Sequence, residues 1–266
     1  MLTTGRYDDP ADLFTPLPHF ADPAAHFLPL PGLRALVTPG LRDTARVIGA
    51  GVAERAMVCL HGAAGVGKTF AVRAVLDGWA PDRSCLLTLR SRPGPADLRA
   101  ALHHALQLPG AGPADPAAHD VLITAALARR SPVVVVDEAH QLSPACFEYL
   151  RYLYDATGGV CMVLIAGESG ERVLHGVRML ASRCAAWAQI TPLRPEHVPV
   201  AVPRLHPIWH KVPAELLLSA DVRFAHGGLR AWAALTHHAS RMLGTPGSVP
   251  LEELLEQIMP RLGAVS

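Results

Sequence analysis

The sequence predicts an α/β fold: a three-layer sandwich built on a five-stranded parallel sheet, followed by a small α-helical segment. Three observations predict it. Short, wholly apolar runs alternate with helical stretches between residues 56 and 190, the pattern of a parallel sheet covered on both faces. The first apolar run leads directly into Gly62-Ala-Ala-Gly-Val-Gly-Lys-Thr69. After Pro192 the alternation stops, and residues 194–266 read as helical.

Taken in order, residues 1–36 are aperiodic and carry Pro16, Pro18, Pro23, Pro29 and Pro31, so they read as an extended arm. Thr38-Pro39-Gly40 reads as a turn into a helix ending near Val52. Strands are then expected over 56–61, 84–89, 132–136, 160–166 and 185–190. Helices are expected over 68–79, 96–106, 115–130, 143–157 and 170–183. The helical remainder breaks at Gly227-Gly228 and again over 244–250. This gives three expected segments: an arm (1–36), an αβα core (37–193) and a helical lid (194–266).

Composition narrows the field. Half of the 266 residues are apolar, 18% are charged and the net charge is +1, with a mean hydropathy of +0.23. Disordered chains combine low hydrophobicity with high net charge, so this one folds. The charge balance excludes an evenly basic coat, and any nucleic-acid contact has to be a local patch. Residues 1–10 include Arg6, Asp8 and Asp9 and have no apolar core of a signal peptide. No apolar run approaches the roughly 20 residues of a membrane helix. The five cysteines are odd in number and scattered, without a CxxC pair. Three lie in or beside apolar strand-like runs, where buried free thiols are common, which fits a cytoplasmic location. Lys68 and Lys211 are the only lysines, which makes a lysine inside a motif informative.

The first motif is G-x-x-x-x-G-K-[ST] over 62–69, matched without exception and set between an expected strand and an expected helix. In this pattern glycines let backbone N–H groups curl around phosphates, and the helix N-terminus adds its dipole. Gly62, Gly65, Val66, Gly67, Lys68, Thr69 and Phe70 are therefore expected to hold ATP. Lys68 would reach the β- and γ-phosphates, and Thr69 would ligate Mg²⁺. The second motif is Val133-Val-Val-Val-Asp137-Glu138. A buried strand ending in a carboxylate puts Asp137 at the Mg²⁺, and Glu138 can polarise the attacking water. The spelling Asp137-Glu138-Ala139-His140 coincides with the DEAH box of helicases. Those enzymes need two tandem motor domains, and this chain has length for one.

Together, these motifs and the helical C-terminal segment resemble an AAA+ ATPase. Within that group, the Asp-Glu-Ala-His-Gln-Leu run, the Leu-Ile-Ala-Gly strand end and the Gly-Gly-x-x-Arg lid are most similar to the TniB-type and Mu B-type transposition helper ATPases and the related secretion-pathway ATPases. The resemblance covers about residues 40–245. It implies ATP-dependent self-assembly into a ring or filament, binding to duplex DNA, target-site selection and recruitment of a transposase or integrase. A regulatory switch working through protein partners, or a secretion-type ATPase, are the competing expectations. The resemblance further implies that Arg230, in Gly227-Gly228-Leu229-Arg230, is the lid's sensor 2 arginine facing the γ-phosphate. Ser182-Arg183-Cys184 resembles the position of the arginine finger, which acts on a neighbouring subunit's ATP, with Arg178 one turn earlier as the competitor. Both roles suit the forked, permanently charged guanidinium. Sensor 1, a polar residue after the fourth strand in this family, falls on Ser169 or Glu168.

The other constellations are weaker. His206 and His210 are four apart, but Pro207 interrupts the helix that would align them, and no HExxH occurs; zinc is not expected. For DNA, Arg90 and Arg92 after the second strand and Arg99 one turn into the next helix form the expected contact set. Repeated around an oligomer, such arginines would sum to many phosphate contacts; a solvated loop is the plain alternative. Trp187, Trp209 and Trp232 read as packing residues.

Overall fold

Short runs of valine, leucine, isoleucine and methionine cannot be left in water, and in this chain they pair side by side. The computed structural model describes residues 30–79 and 83–243, together with Glu253, Leu255 and Glu256. Most of the proline-rich arm and the expected break over 244–250 lie outside the described residues. Five strands, β1 (Met57–His61), β2 (Ser84–Leu87), β3 (Val133–Val136), β4 (Met162–Ala166) and β5 (Cys184–Gln189), form one sheet in the order β2-β3-β4-β1-β5. All four pairings are parallel. The carboxyl ends of the strands therefore share one edge of the sheet, and β4 separates β1 from β3.

The chain divides into two compact units. The sheet unit comprises 43–62 and 71–190; the helical unit is built from the described parts of 1–42, 63–70 and 191–266. Each unit is thus discontinuous in sequence.

In the sheet unit every residue of β1, β3 and β4 is buried, as expected of central parallel strands covered on both faces. Met57, Leu87, Val134, Val136, Met162 and Leu164 join the core formed with Leu98 and Leu102 of α3 (Pro95–Ala105), Ile123 and Leu127 of α4 (Pro116–Arg130), and Leu150 and Leu153 of α5 (Pro144–Ala156). The helix starts follow local chemistry. The Asp115 carboxylate accepts from the amides of Ala117 and Ala118 at the head of α4, and the Ser143 hydroxyl accepts from Cys146 at the head of α5. Pro occupies the first turn of both helices, where its missing N–H costs nothing.

Two expectations are corrected. The helix expected over 170–183 is two pieces, α6 (Gly170–Gly176) and α7 (Arg178–Ala181). Val177 leaves the helical region with ψ 80°, where a poor helix former, Gly176, is followed by a β-branched residue. The second strand stops at Leu87, not Leu89, because Leu87 pairs with Val136, the last residue of β3.

In the helical unit, α8 (Val198–Leu205), α9 (Ala214–Ala220) and α10 (Leu229–Leu243) surround a second core. Trp209 and Trp232 are fully buried at its centre, edge to face with centroids 5.6 Å apart. Each indole N–H has a partner: Trp209 donates to Thr236 Oγ1 at 2.9 Å and Trp232 to Asp221 Oδ1 at 2.9 Å. Leu33 and Leu36 also enter this cluster. The adjoining backbone is pinned, with Arg34 N–H donating to the Leu205 carbonyl at 2.8 Å. His206 Nδ1 accepts from the Ile208 amide, which leaves its Nε2–H to donate to the Pro31 carbonyl at 3.0 Å. Helices α1 (Pro39–Glu54) and α2 (Lys68–Trp79) complete the described elements of regular α-helix.

Candidate functional site

The loop between β1 and α2 carries the first motif, and its backbone is one that side chains would obstruct. Gly62 has φ 155°, and a Cβ there would lie 2.2 Å from the Ile190 carbonyl oxygen. Gly67 has φ 95°, and a Cβ would meet Leu229 Cδ1 at 3.2 Å. Glycine alone admits both the positive φ and the close approach. In the helical unit, Lys68 Nζ donates to the Ala63 carbonyl at 2.8 Å, so the lysine curls back over the loop that it follows. Lys68 and Val66 are buried; Gly65, Thr69 and Phe70 are half-buried. The cradle therefore has the features that a polyphosphate needs: free rotation at glycines, N–H groups opening a helix, and one ammonium. ATP fits the residues present.

Arg230 stands against this loop. The Arg230 N–H donates to the Gly65 carbonyl at 3.0 Å, and the position of a Gly65 Cβ would be 3.4 Å from Arg230 Cβ. The preceding Gly227-Gly228 turn is set by Asp221, a buried carboxylate in a single π-turn (Asp221–Ala225). Its Oδ1 accepts from Gly227 N–H and Trp232 Nε1–H, both at 2.9 Å. Such π-turns recur at functional positions. No sequence signal marked Asp221 beyond its being an acid upstream of the two glycines.

In the sheet unit, Asp137 and Glu138 follow β3 at the carboxyl edge of the sheet. Glu138 takes a left-handed backbone conformation, φ 51°, and its N–H donates to Asp137 Oδ1 at 2.9 Å. The Glu138 side chain is 55% exposed. A carboxylate such as that of Asp137 is a hard oxygen donor of the kind that suits Mg²⁺. Among the described residues no three His, Cys, Asp or Glu side chains group as a metal site. Ser169 is exposed and precedes α6 without capping it by its side chain.

The expected arginines separate by environment. Arg183 forks Asp155, with Nε and Nη2 at 2.9 and 3.0 Å from its two oxygens, and also donates to the Met179 carbonyl at 2.8 Å. These hydrogen bonds hold the Asp155 carboxyl below its ordinary pKa. Arg178 is exposed. Arg99, expected in the DNA contact set, has partners within the sheet unit. It is hydrogen-bonded to Asp120 at 2.7 and 3.1 Å and lies over the Tyr149 ring at 4.6 Å, while Tyr149 OH donates to Asp120 at 2.6 Å. A guanidinium so engaged ties α3, α4 and α5 together. Arg90 and Arg92 are exposed.

One histidine pair forms across two helices. His103 meets His119, not His104: His119 Nε2 and His103 Nδ1 are 3.1 Å apart, and His103 Nε2 is 3.0 Å from the Gly110 carbonyl. Burial, with His103 adding to it, lowers the His119 pKa. All five cysteines are free. Burial pushes the Cys85 and Cys161 thiols up to about 12 and Cys184 to about 11, so none of these three is a ready nucleophile. Among the described residues no helix is long and apolar enough to cross a membrane.

Residues 52–174 match the family model described as an AAA domain. The chain is similar in fold to the ORC2 protein of Aeropyrum pernix, solved as its ADPNP–ADP complexes, with 14% identity and a TM-score of 0.68 over 91% of this chain and 72% of that one. It is also similar to the RuvB Holliday junction branch migration motor of Thermotoga maritima, with 14% identity and a TM-score of 0.58 over 84% and 68% of the two chains. A Walker-type ATPase of Pyrococcus abyssi aligns at 16% identity and a TM-score of 0.52, over 82% and 76% of the chains. No curated protein matches the sequence. The fold is thus that of the P-loop AAA+ ATPases, a five-stranded parallel sheet with flanking helices and further helices after it. Together with the AAA domain match, it supports a place in the AAA+ ATPase superfamily.

Proposed function

We propose that this chain binds ATP with Mg²⁺, hydrolyses the ATP, and self-assembles on duplex DNA in the cytoplasm to select target sites and recruit or activate a transposase or integrase. The single observation that carries the nucleotide reading is the glycine cradle of 62–68 with the Arg230 peptide hydrogen-bonded to Gly65. In this reading the cradle's N–H groups and Lys68 bind the phosphates, and Arg230 senses the γ-phosphate from the lid. Thr69 and Asp137 hold Mg²⁺, which when bound neutralises charge on the phosphate oxygens. Glu138 orients and deprotonates the attacking water, and Ser169 is the sensor 1 candidate.

Completion of the site from a neighbouring subunit is part of the proposal. Of the two finger candidates, Arg178 is exposed, whereas the Arg183 fork is filled by Asp155; Arg178 is the stronger one. DNA contact is assigned to Arg90 and Arg92, with Arg99 supporting the helix behind them. The assembly and transposition reading rests on the resemblance to the TniB-type and Mu B-type group, and on likeness of fold to a branch migration motor.

Sedimentation with a slowly hydrolysed ATP analogue, with and without duplex DNA, tests the assignment. The expected result is assembly that requires both nucleotide and DNA and weakens steeply with salt, as counterion release dictates. Assembly with nucleotide alone, indifferent to DNA, would move the function to a switch acting through protein partners or to a secretion-type ATPase.

A further inference from the structure

His140 lies two residues beyond the Walker B glutamate, and the sheet unit gives it a defined seat. The 3₁₀ turn Ala139–Gln141 that follows Glu138 swings the imidazole over the end of β4. There the Gly167 N–H donates to His140 Nδ1 at 3.3 Å. A ring nitrogen that accepts a hydrogen bond carries no proton, so the neutral imidazole keeps its proton on Nε2. That nitrogen lies 3.5 Å from Glu138 Oε2. Gly170 makes the seat possible: a Cβ at that position would fall 2.8 Å from both Cβ and Cγ of His140.

Glu138 has little else to hold its side chain. Its carboxylate is more than half exposed, and the Gln141 amide approaches the same Oε2 only at 3.4 Å. We propose that His140 is a positioning residue for Glu138: its Nε2–H orients the carboxylate for water activation, and the Gly167 amide at the end of β4 fixes the tautomer that makes this donor available. The inference rests on the reading of Glu138 as the water-activating base. At 3.5 Å the contact is loose, and contacts to a general base commonly tighten once substrate is bound. The role also couples the loop after β4, where sensor 1 is expected, to the catalytic carboxylate through one ring.

The test is a double-mutant cycle on the full chain, reading steady-state ATP turnover and equilibrium ATP affinity. His140→Ala should lower turnover about tenfold, the scale of one charge-assisted hydrogen bond, with ATP affinity within about twofold. His140→Gln, which keeps an N–H donor at similar reach, should recover most of the rate. In a Glu138→Gln background, His140→Ala should have no further effect, because the partner it acts through is already disabled. Wild-type turnover in His140→Ala, or an equal loss in both backgrounds, overturns the proposal. Should His140→Ala fail to fold, His140→Asn, a donor too short to reach Glu138, takes its place in the same cycle. Loss of turnover in Glu138→Gln with none in the His140 variants defeats this inference alone. Wild-type turnover in Glu138→Gln defeats the reading beneath it as well.

Discussion

The sheet unit and the helical unit fill their cores in different ways. In the first, aliphatic strand residues meet three amphipathic helices, and the polar groups among them form closed sets: Arg99, Asp120 and Tyr149, and His103 with His119. In the second, two indoles at right angles occupy the centre, and their N–H groups are consumed by Thr236 and Asp221. An aliphatic sheet core spreads its stabilisation over many residues, and each loss is modest. A core centred on two tryptophans concentrates it, and the same Asp221 that satisfies one indole also sets the Gly227-Gly228 turn ahead of Arg230. Stability and site geometry are therefore coupled more tightly in the helical unit than in the sheet unit.

That contrast can be broken at several points. The largest effect is expected from Trp232→Ala, which removes a fully buried indole and leaves Asp221 short of a donor. Emptying such a site costs about 3–5 kcal/mol, and denaturant unfolding should register that loss together with weakened ATP affinity. Retention of full affinity would show that the lid turn does not depend on this core. Next, Arg178→Ala should reduce ATP turnover on the order of 10³-fold, as loss of an arginine finger does, while leaving ATP binding intact. Arg183→Ala, which loses a partly exposed ion pair, should leave turnover near that of the parent chain. The opposite pattern would return the finger to Arg183.

In the sheet unit Asp120→Ala strands Arg99 and Tyr149, at a cost of about 2–3 kcal/mol read from the denaturation midpoint. The smallest effect is a pH dependence. The folded-state pKa of His119 is lowered by burial and by His103, so its contribution is fully present above the ordinary imidazole range, about 6.5, and is lost as pH falls through it. Burial raises the Asp120 carboxyl, but the Arg99 and Tyr149 hydrogen bonds outweigh it and the net shift is downward. Its contribution is present above the ordinary carboxylate range, about 3.9, and is lost at lower pH. Midpoints measured from pH 8 to pH 3 should therefore decline in two stages, and a flat profile down to pH 5 would remove the His119 stage.

Much of this was legible in the residues. The runs 56–60 and 133–136 are apolar at every position, as a strand covered on both faces is, and the structure buries every residue of the strands they form. The glycines of 62–67 marked a loop after the first strand, and Gly62, Gly65 and Gly67 have positive φ there. Trp209 and Trp232 were expected to be packing residues, and both are fully buried. What escaped the sequence depends on contacts between distant segments. Nothing in the local pattern around Arg99 marks Asp120 and Tyr149 as its partners, since they come from two other helices. His103 finds His119 across a helix pair although His104 is adjacent in sequence. The seat of His140 requires Gly167 and Gly170, whose roles appear only once β3 and β4 are known to be neighbours.

The central claim, that the Walker loop and the carboxylates after β3 make an ATPase, is tested most directly by one variant. Glu138→Gln should bind ATP as the parent chain does and lose turnover on the order of 10²- to 10⁴-fold, the range that general base catalysis supplies. Measured by equilibrium titration and phosphate release on the same preparation, unchanged turnover, or loss of ATP binding with it, would contradict the account.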